Sequence, residues 1–129
     1  MAGKGLPNGP SEQFPSGSRL LKHADFQLVY QQGKKSFSGN VTALYRERDA
    51  GIGSGPRVGF AVGKLLGGAV ERNRIRRRMR AAVRKHLAKL TRSVDVVLHP
   101  RKSVSQLDFV KLEAEIQQLF AAVQKGVGR

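Results

Sequence analysis

Eight basic side chains lie within fourteen residues of this chain, between Arg72 and Lys85. Arginine predominates over lysine in this run, which favours bidentate contacts with phosphate and stacking on nucleobases. A solvated helical face normally contains acids that pair with the bases at helical spacing. Here Glu71 is the last acid before Asp95. The basic run therefore predicts a surface that binds a polyanion.

Apolar residues recur through the basic run at the spacing of one helical face. This apolar arc consists of Ile75, Met79, Ala82, Val83, Leu87 and Leu90. We predict a helix over about residues 69–90 that docks the arc on a core and turns two basic stripes outward. One stripe contains Asn73, Arg77, Arg80 and Arg84, and the other contains Arg74, Arg78 and Lys85. His86 falls beside the arc, where we expect a partly buried, hydrogen-bonded histidine.

Candidate catalytic groups are scarce in this sequence. The nine acids do not cluster near the basic run except at Glu71, and His23, His86 and His99 lack the spacing of metal ligands. A protein-only nuclease would need paired carboxylates, a histidine pair or a metal-ligand set. We therefore expect no catalytic residue and no metal site in the protein itself.

The amino-acid composition indicates which kind of molecule the protein binds. A net charge of +15 on 129 residues favours nucleic acid first and an anionic membrane second. The membrane is disfavoured because the basic helix offers only small aliphatic residues and Met79 for insertion. The absence of cysteine excludes disulfides and thiolate metal sites, and it suits a reducing cytoplasm. No apolar stretch approaches the roughly 20 residues of a membrane span, so we expect a soluble cytoplasmic protein.

Other periodicities predict the elements that position the basic helix. A first helix over 24–32 places Phe26, Val29 and Tyr30 on one face and ends at Gly33. Alternation predicts strands over 40–47, 57–64 and 94–99, with a further strand possible near 36–38. Ser105 and Asp108 have capping-box spacing before a last helix over 106–124.

These elements predict an α+β fold with the order α-β-β-α-β-α, in which helices pack on a small central sheet. The connection over 63–90 is long enough for a β-α-β crossover between parallel strands. We expect residues 1–18 to form a disordered Gly/Pro/Ser-rich extension, 19–125 a single nucleic-acid-binding domain, and 126–129 a flexible tail.

The strand over 57–64 has one nearly bare face. Val58, Phe60 and Val62 alternate with Gly59, Ala61 and Gly63. Small residues let a neighbour approach the backbone closely. The neighbour is either another element of this protein or a nucleic-acid strand.

The segment 57–80, RVGFAVGKLLGGAVERNRIRRRMR, resembles the signature region of the bacterial ribonuclease P protein component. Its matching positions are Val58, Gly59, Val62, Lys64, Gly67, Ala69, Val70, Arg72, Asn73, Arg74, Ile75, Arg76 and Arg77. Residues 20–33 resemble the first helix of that family, and Leu44 with Tyr45 resembles the following strand, so the resemblance covers about 19–124. The chain differs at Gly63, Leu65 and Gly68, where the family usually has Ser, Lys and Asn.

The resemblance implies a protein subunit that binds a catalytic RNA, ribonuclease P RNA, and helps it to remove the 5′ leader of precursor tRNA. It assigns RNA binding to Lys64, Arg72, Asn73, Arg74, Arg76, Arg77 and Arg80. The Mg²⁺ of the reaction would be held mainly by the RNA and by substrate phosphates, and the resemblance implies no protein partner. It also implies that the crossover is left-handed, as in some ribosomal proteins and contrary to the usual preference.

The resemblance further implies a cleft for the single-stranded leader, lined by Phe26, Tyr30 and Tyr45. Aromatic faces can stack bases of any identity, which suits a leader of variable sequence. From spacing alone, Phe26 and Tyr30 at i,i+4 would more often be simple core contacts.

Two other functions fit the basic helix without the resemblance. One is a stand-alone RNA-binding or ribosomal protein with no leader cleft. The other is a cationic protein that compacts DNA or acts on membranes, which would bind duplex DNA or anionic vesicles at physiological salt.

Overall fold

The computed structural model describes residues 23–49 and 55–127. Its helices and strands are α1 (His23–Gln32), β1 (Lys34–Phe37), β2 (Val41–Glu47), β3 (Arg57–Phe60), α2 (Ala69–His86), β4 (Val94–Pro100) and α3 (Phe109–Gly126). The predicted α+β class and element order are confirmed, with β1 added close to the further strand expected near 36–38. The extension predicted for residues 1–18 lies outside the described residues.

The four strands form one sheet in the order β1-β2-β4-β3. β2 is antiparallel to both of its neighbours, whereas β3 and β4 are parallel. Parallel neighbours need a long connection, and here α2 lies within it, so the predicted β-α-β crossover is present. Its handedness remains a prediction of the resemblance.

The main core lies on the sheet face that α2 and α3 cover. It contains the side chains of β2, β3 and β4 that face these helices, together with the apolar arc. The arc is buried as predicted. The buried residues of α3 are Leu112, Ile116, Leu119, Phe120 and Val123. Packing of this arc anchors the basic helix despite its like charges.

The opposite sheet face carries α1. Val29 is buried against Leu44 and Val97, and Phe26 and Ala61 pack at the edge of this small cluster. Part of the bare face of β3 is therefore covered by another element of the protein. Gly63, beyond the strand end, stays exposed.

The turn after α1 requires a glycine. A Cβ atom at Gly33 would lie 2.4 Å from the carbonyl oxygen of Val29 and 2.8 Å from that of Tyr45. Both distances are far inside van der Waals contact, so the close approach of α1 to β2 depends on the missing side chain.

Two predicted boundaries are wrong near the C-terminus. Ser105 lies in a 3₁₀ turn, and the N-cap of α3 is Asp108, whose carboxylate accepts a hydrogen bond from the amide of Val110. Gly126 still belongs to α3, and Val127 is only 5% exposed within the main core, so packing continues past the predicted limit at 125. Among the described residues, no helix is long and apolar enough to cross a membrane.

Candidate nucleic-acid interface

Four arginines of α2 have no carboxylate partner in the part of the chain that the structure describes. Asn73, Arg74 and Arg77 are exposed, and Arg72 and Arg76 are half-buried. Within residues 23–49 and 55–127, none of these four arginines forms an ion pair with a carboxylate. Glu71, the one acid in the first turn, lies at the positive end of the helix dipole. This side of α2 therefore keeps its charge available to an external anion.

Arg76 links α2 to the segment that follows β3. Its guanidinium donates to Oδ1 of Asn73 at 3.0 Å and to the carbonyl oxygen of Val62 at 3.3 Å. Burial, and secondly the charge of Arg72, lower the pKa of Arg76. The Nε of Arg72 is buried without a hydrogen-bond partner in the described part of the chain. A phosphate placed beside these two guanidiniums would relieve the repulsion between them.

The second predicted stripe does not face outward as a whole. Arg78 donates from Nε to the carbonyl oxygen of Val104 at 2.9 Å, and it also bonds the carbonyl of Leu107. Its guanidinium lies 5.8 Å from the ring centre of Phe109, and Nζ of Lys85 lies 5.5 Å from the same centre. Arg78 and Lys85 therefore attach α2 to the start of α3, although the side chain of Lys85 stays 56% exposed, and Arg74 of this stripe is exposed without such a contact.

His86 confirms its predicted role as a satisfied, partly buried histidine. Its Nε2 lies 3.1 Å from Oε1 of Glu113. The hydrogen bond with His86, with a further contribution from Lys85, lowers the pKa of Glu113. This contact joins the last turn of α2 to α3.

Aromatic side chains line the outer side of α1. The rings of Phe26 and Tyr30 are 6.4 Å apart, and Tyr30 is 47% exposed. The Tyr30 hydroxyl lies 3.2 Å from Nε2 of His99, with the two rings 5.6 Å apart. Burial raises the pKa of Tyr30, and burial followed by the charge of Lys35 lowers the pKa of His99. We call Phe26, Tyr30 and His99 the α1 surface.

The sheet register extends this aromatic region. His99 pairs with Thr42, and Thr42 pairs with Phe37 on β1, so the three side chains share one face. Phe37 is 69% exposed. The sheet therefore continues the α1 surface toward β1 with a second accessible ring.

Tyr45 does not lie on this surface, contrary to expectation. It belongs to the main core with Val41 and Ala43, on the sheet face opposite α1. Successive side chains of a strand point to opposite faces, and the α1 face of β2 carries Leu44. The tyrosine hydroxyl is directed at the end of α3, where a Cβ atom on Gly126 would lie 2.1 Å from it.

A cluster of buried charges fixes α1 and the strands beneath it. Asp95 accepts from Arg48 at 2.7 Å and from Arg57 at 2.8 Å through both of its oxygens. Arg57 reaches on to Asp25 of α1 at 3.4 Å. These ion pairs link β2, β3, β4 and the first turn of α1, and they fix the position of α1 on the sheet.

The structure thus separates the predicted site residues into two regions. Lys64, Arg72, Asn73, Arg74, Arg76, Arg77 and Arg80 belong to α2 and the segment before it, and Phe26 and Tyr30 belong to α1. Neither His99 nor Phe37 was predicted from the sequence to lie on the aromatic face beside α1. Alternation could have found His99, because Val94, Val96 and Leu98 face the main core and leave Asp95, Val97 and His99 on the α1 side.

Comparisons with known proteins place this arrangement in a family. The family model described as Ribonuclease P matches residues 14–124. The ribonuclease P protein component of Acidothermus cellulolyticus is 35% identical over 106 residues, which cover 82% of this chain and 88% of that protein. The counterpart in Finegoldia magna is 33% identical over 99 residues, covering 76% and 83%.

Solved structures agree with the sequence matches. The RNase P protein from Thermotoga maritima superposes with a TM-score of 0.71 at 25% identity, covering 86% of this chain and 99% of that one. Its likeness extends over the sheet and the helices described above. The chain belongs to the ribonuclease P protein component family.

Proposed function

We propose that this chain, as the protein subunit of ribonuclease P, binds the catalytic RNA through α2 and the 5′ leader of precursor tRNA through the α1 surface. The observation that carries the proposal is a pair of surfaces: Arg72, Arg74, Arg76 and Arg77 of α2 have no carboxylate partner among the described residues, and α1 carries an exposed aromatic surface. A cationic helix alone would serve many RNA-binding proteins. The two surfaces together match a subunit that must bind one RNA and position another.

Binding of the catalytic RNA rests on Lys64, Arg72, Asn73, Arg74, Arg76, Arg77 and Arg80. These groups contact phosphates, which fixes position without reading sequence. Arg74 and Arg77 are free to reach outward, whereas Arg76 is held by Asn73 and Val62 and offers a fixed guanidinium. A fixed guanidinium loses less conformational entropy when it binds.

Binding of the leader rests on Phe26 and Tyr30. An unpaired base stacked on an aromatic face contributes about 1–3 kcal/mol whatever its identity. The half-exposed ring of Tyr30 supplies such a face, and the hydrogen bond to His99 holds the ring in place. Stacking without base-specific contacts suits substrates whose leaders differ in sequence.

The chemistry of cleavage belongs to the RNA. Asp25 and Asp95 bind arginines, and Glu115 accepts hydrogen bonds from Ser38 and Asn40. Across residues 23–49 and 55–127, no three histidine or carboxylate side chains lie close enough to hold a metal ion. We assign the Mg²⁺ of the reaction mainly to the RNA and to substrate phosphates. In this proposal the chain works in the cytoplasm and needs no further protein partner.

The test is cleavage of precursor tRNA by bacterial ribonuclease P RNA at low magnesium, with and without this protein, using leaders of increasing length. We expect stimulation that grows with leader length until the α1 surface is filled. Tyr30→Ala should reduce binding of precursor tRNA roughly tenfold through the lost stack and leave mature tRNA unaffected.

The outcomes separate the two parts of the proposal. Equal losses on precursor and mature tRNA would remove Tyr30 from the leader contact. Stimulation that ignores leader length would keep the subunit role and return Phe26 and Tyr30 to packing. A folded protein that gives no stimulation would favour a stand-alone RNA-binding function.

A further inference from the structure

α1 makes little apolar contact with the sheet. Among its residues only Val29 is buried, and the others are half-buried or exposed. Val29 packs against Leu44 and Val97, with Phe26 at the edge of this small cluster. Apolar packing has no preferred direction, so one buried side chain leaves the direction of the helix axis to be fixed by other contacts.

The two ends of α1 are attached by different contacts. At its C-terminal end the amide of Gly33 donates to the carbonyl oxygen of Val29 at 2.8 Å, and the chain continues directly into β1. At its N-terminal end the carboxylate of Asp25 accepts a hydrogen bond from the guanidinium of Arg57 at 3.4 Å. The side chains of Asp25 and Arg57 are 20% and 24% exposed, so this ion pair is partly shielded from salt and water. The first turn of α1 is therefore attached to β3 by a directional contact.

Arg57 is a rigid anchor for this contact. Its Nε donates to Oδ1 of Asp95 at 2.8 Å, and its Nη2 donates to Oδ2 of the same carboxylate at 2.8 Å. Such a bidentate pair fixes the plane of the guanidinium. The side chain of Asp95 is only 4% exposed and also accepts from Arg48, which holds it in one orientation. The same Nη2 atom bonds Asp25, so the location of Asp25 is set by β4 as well as by β3.

The ion pair lies next to the aromatic rings of the α1 surface. Phe26 follows Asp25 directly in the chain, and Tyr30 lies about one turn further along the helix. The hydroxyl of Tyr30 is attached to His99 at 3.2 Å. A movement of the first turn would therefore displace Phe26 relative to Tyr30 and change the 6.4 Å spacing of the two rings. Successive bases stack well only on rings that are held at a defined spacing.

We propose that the ion pair between Arg57 and Asp25 holds α1 in the position in which its aromatic rings bind the leader. Arg57 and Asp25 are then positioning residues for the choice of precursor over mature tRNA. The inference rests on the proposed leader contact, and neither residue needs to touch the RNA. The carboxylate of Asp25 repels phosphate, because the two groups carry charge of the same sign. Any favourable contribution of Asp25 to leader binding therefore acts through α1.

The experiment measures the dissociation constants of precursor and mature tRNA for reconstituted holoenzyme that contains each variant. Asp25→Ala should weaken binding of precursor tRNA, and it should lower the preference for precursor over mature tRNA about fivefold. The direction of this change is diagnostic, because removal of an acid from a protein of net charge +15 would otherwise strengthen RNA binding. Asp25→Glu keeps the carboxylate and should restore most of the preference. Asp49→Ala is the matched control: it removes the same charge from a side chain that is 75% exposed, and the preference should stay unchanged.

A second background separates positioning from general damage to the fold. In protein that already carries Phe26→Ala and Tyr30→Ala, Asp25→Ala should have no further effect on the preference, because no ring remains to be positioned. A full additional loss in that background would overturn the proposal. An unchanged preference in Asp25→Ala with both rings present would overturn it too.

The leader contact and its positioning can fail separately. If the double change Phe26→Ala and Tyr30→Ala leaves the preference unchanged, the proposed leader contact is wrong. If the double change lowers the preference and Asp25→Ala does not, the leader contact stands and the ion pair serves stability alone. Should Asp25→Ala fail to fold, Arg57→Lys takes its place, because it keeps the charge and loses the bidentate geometry. It should lower the preference about threefold, and an unchanged preference in Arg57→Lys would overturn the proposal.

Discussion

Arginine occupies two opposite environments in this protein. In the charge cluster beneath α1, the side chain of Arg48 is only 2% exposed and shares Asp95 with Arg57. On α2, Arg72 and Arg76 are half-buried without a carboxylate partner in the described residues. The hydrogen bond that Arg57 donates to Asp95 outweighs burial and raises the pKa of Arg57, whereas burial and the charge of Arg72 lower the pKa of Arg76.

The difference separates the arginines that stabilise the fold from those that we propose bind a partner. A buried ion pair compensates the desolvation of each charge only while both members are present. Arg72, Arg74, Arg76 and Arg77 have no carboxylate partner among the described residues, and they repel each other at low ionic strength. The apolar arc of α2 stabilises the helix against that repulsion. A binding partner that supplies phosphates is the missing counterpart of Asp95.

Asp95→Asn should have the largest effect on stability. It leaves Arg48 buried without its carboxylate, which costs about 3–5 kcal/mol of the free energy of unfolding. Urea denaturation of the purified protein measures the loss. Asp49→Asn is the control, because Asp49 is 75% exposed and lies 3.7 Å from Arg46; it should cost at most about 1 kcal/mol. Equal losses in the two variants would contradict the contrast between buried and exposed pairs.

Arg78→Ala should have the second-largest effect, and it too should lower the stability of the protein. Arg78 bonds the carbonyls of Val104 and Leu107 and lies over Phe109. Loss of charged hydrogen bonds to buried carbonyl groups costs about 1–3 kcal/mol. The salt dependence of RNA binding should stay as in the unsubstituted protein. A flatter dependence with unchanged stability would place Arg78 among the residues that bind RNA.

Arg77→Ala, at the neighbouring position, should weaken RNA binding and leave stability nearly unchanged. Arg77 is exposed, so the free energy of unfolding should change by no more than about 0.5 kcal/mol. Each lost phosphate contact should lower the slope of log affinity against log salt concentration by about 0.7–0.9. Binding of the catalytic RNA across a salt series measures this slope, with Arg78→Ala as the paired control. An unchanged slope would exclude Arg77 from the interface.

Local periodicity predicted most of the fold because each element buries one face. The arc from Ile75 to Leu90 was identified from its 3.6-residue spacing, and every member is buried. Tyr45 also alternates with Val41 and Ala43 along β2, and the structure buries all three in the main core. The resemblance nevertheless grouped Tyr45 with Phe26 and Tyr30, and that grouping contradicts the strand's own periodicity.

Contacts between segments far apart in the chain could not be predicted from local sequence patterns. Arg74 and Arg78 occupy equivalent positions on one stripe, yet only Arg78 meets the carbonyl of Val104, 26 residues further on. The pairing of Arg48 and Arg57 with Asp95 depends on β4 lying between β2 and β3, which no local pattern specifies. The RNA-binding roles of the exposed cations stay predictions until they are measured.

His99 is a weak base that differs from both sets of arginines. It is only partly exposed, and it has no carboxylate partner among the described residues. Burial, followed by the charge of Lys35, lowers its pKa from the ordinary value of 6.5. The unfolded chain therefore takes up this proton at higher pH than the folded chain does. As the pH falls below 6.5, stability is lost, and the loss from this group ends once the pH is below the folded-state pKa.

The measurement is the free energy of unfolding from about pH 8 to about pH 5, the range in which histidines titrate. His99→Gln should remove part of the decline, while His23→Gln, at an exposed position at the start of α1, should retain it. A decline that persists unchanged in His99→Gln would assign the pH dependence to other groups. Its disappearance would show that a cation on the α1 surface, unlike Arg57 beside Asp95, destabilises the free protein.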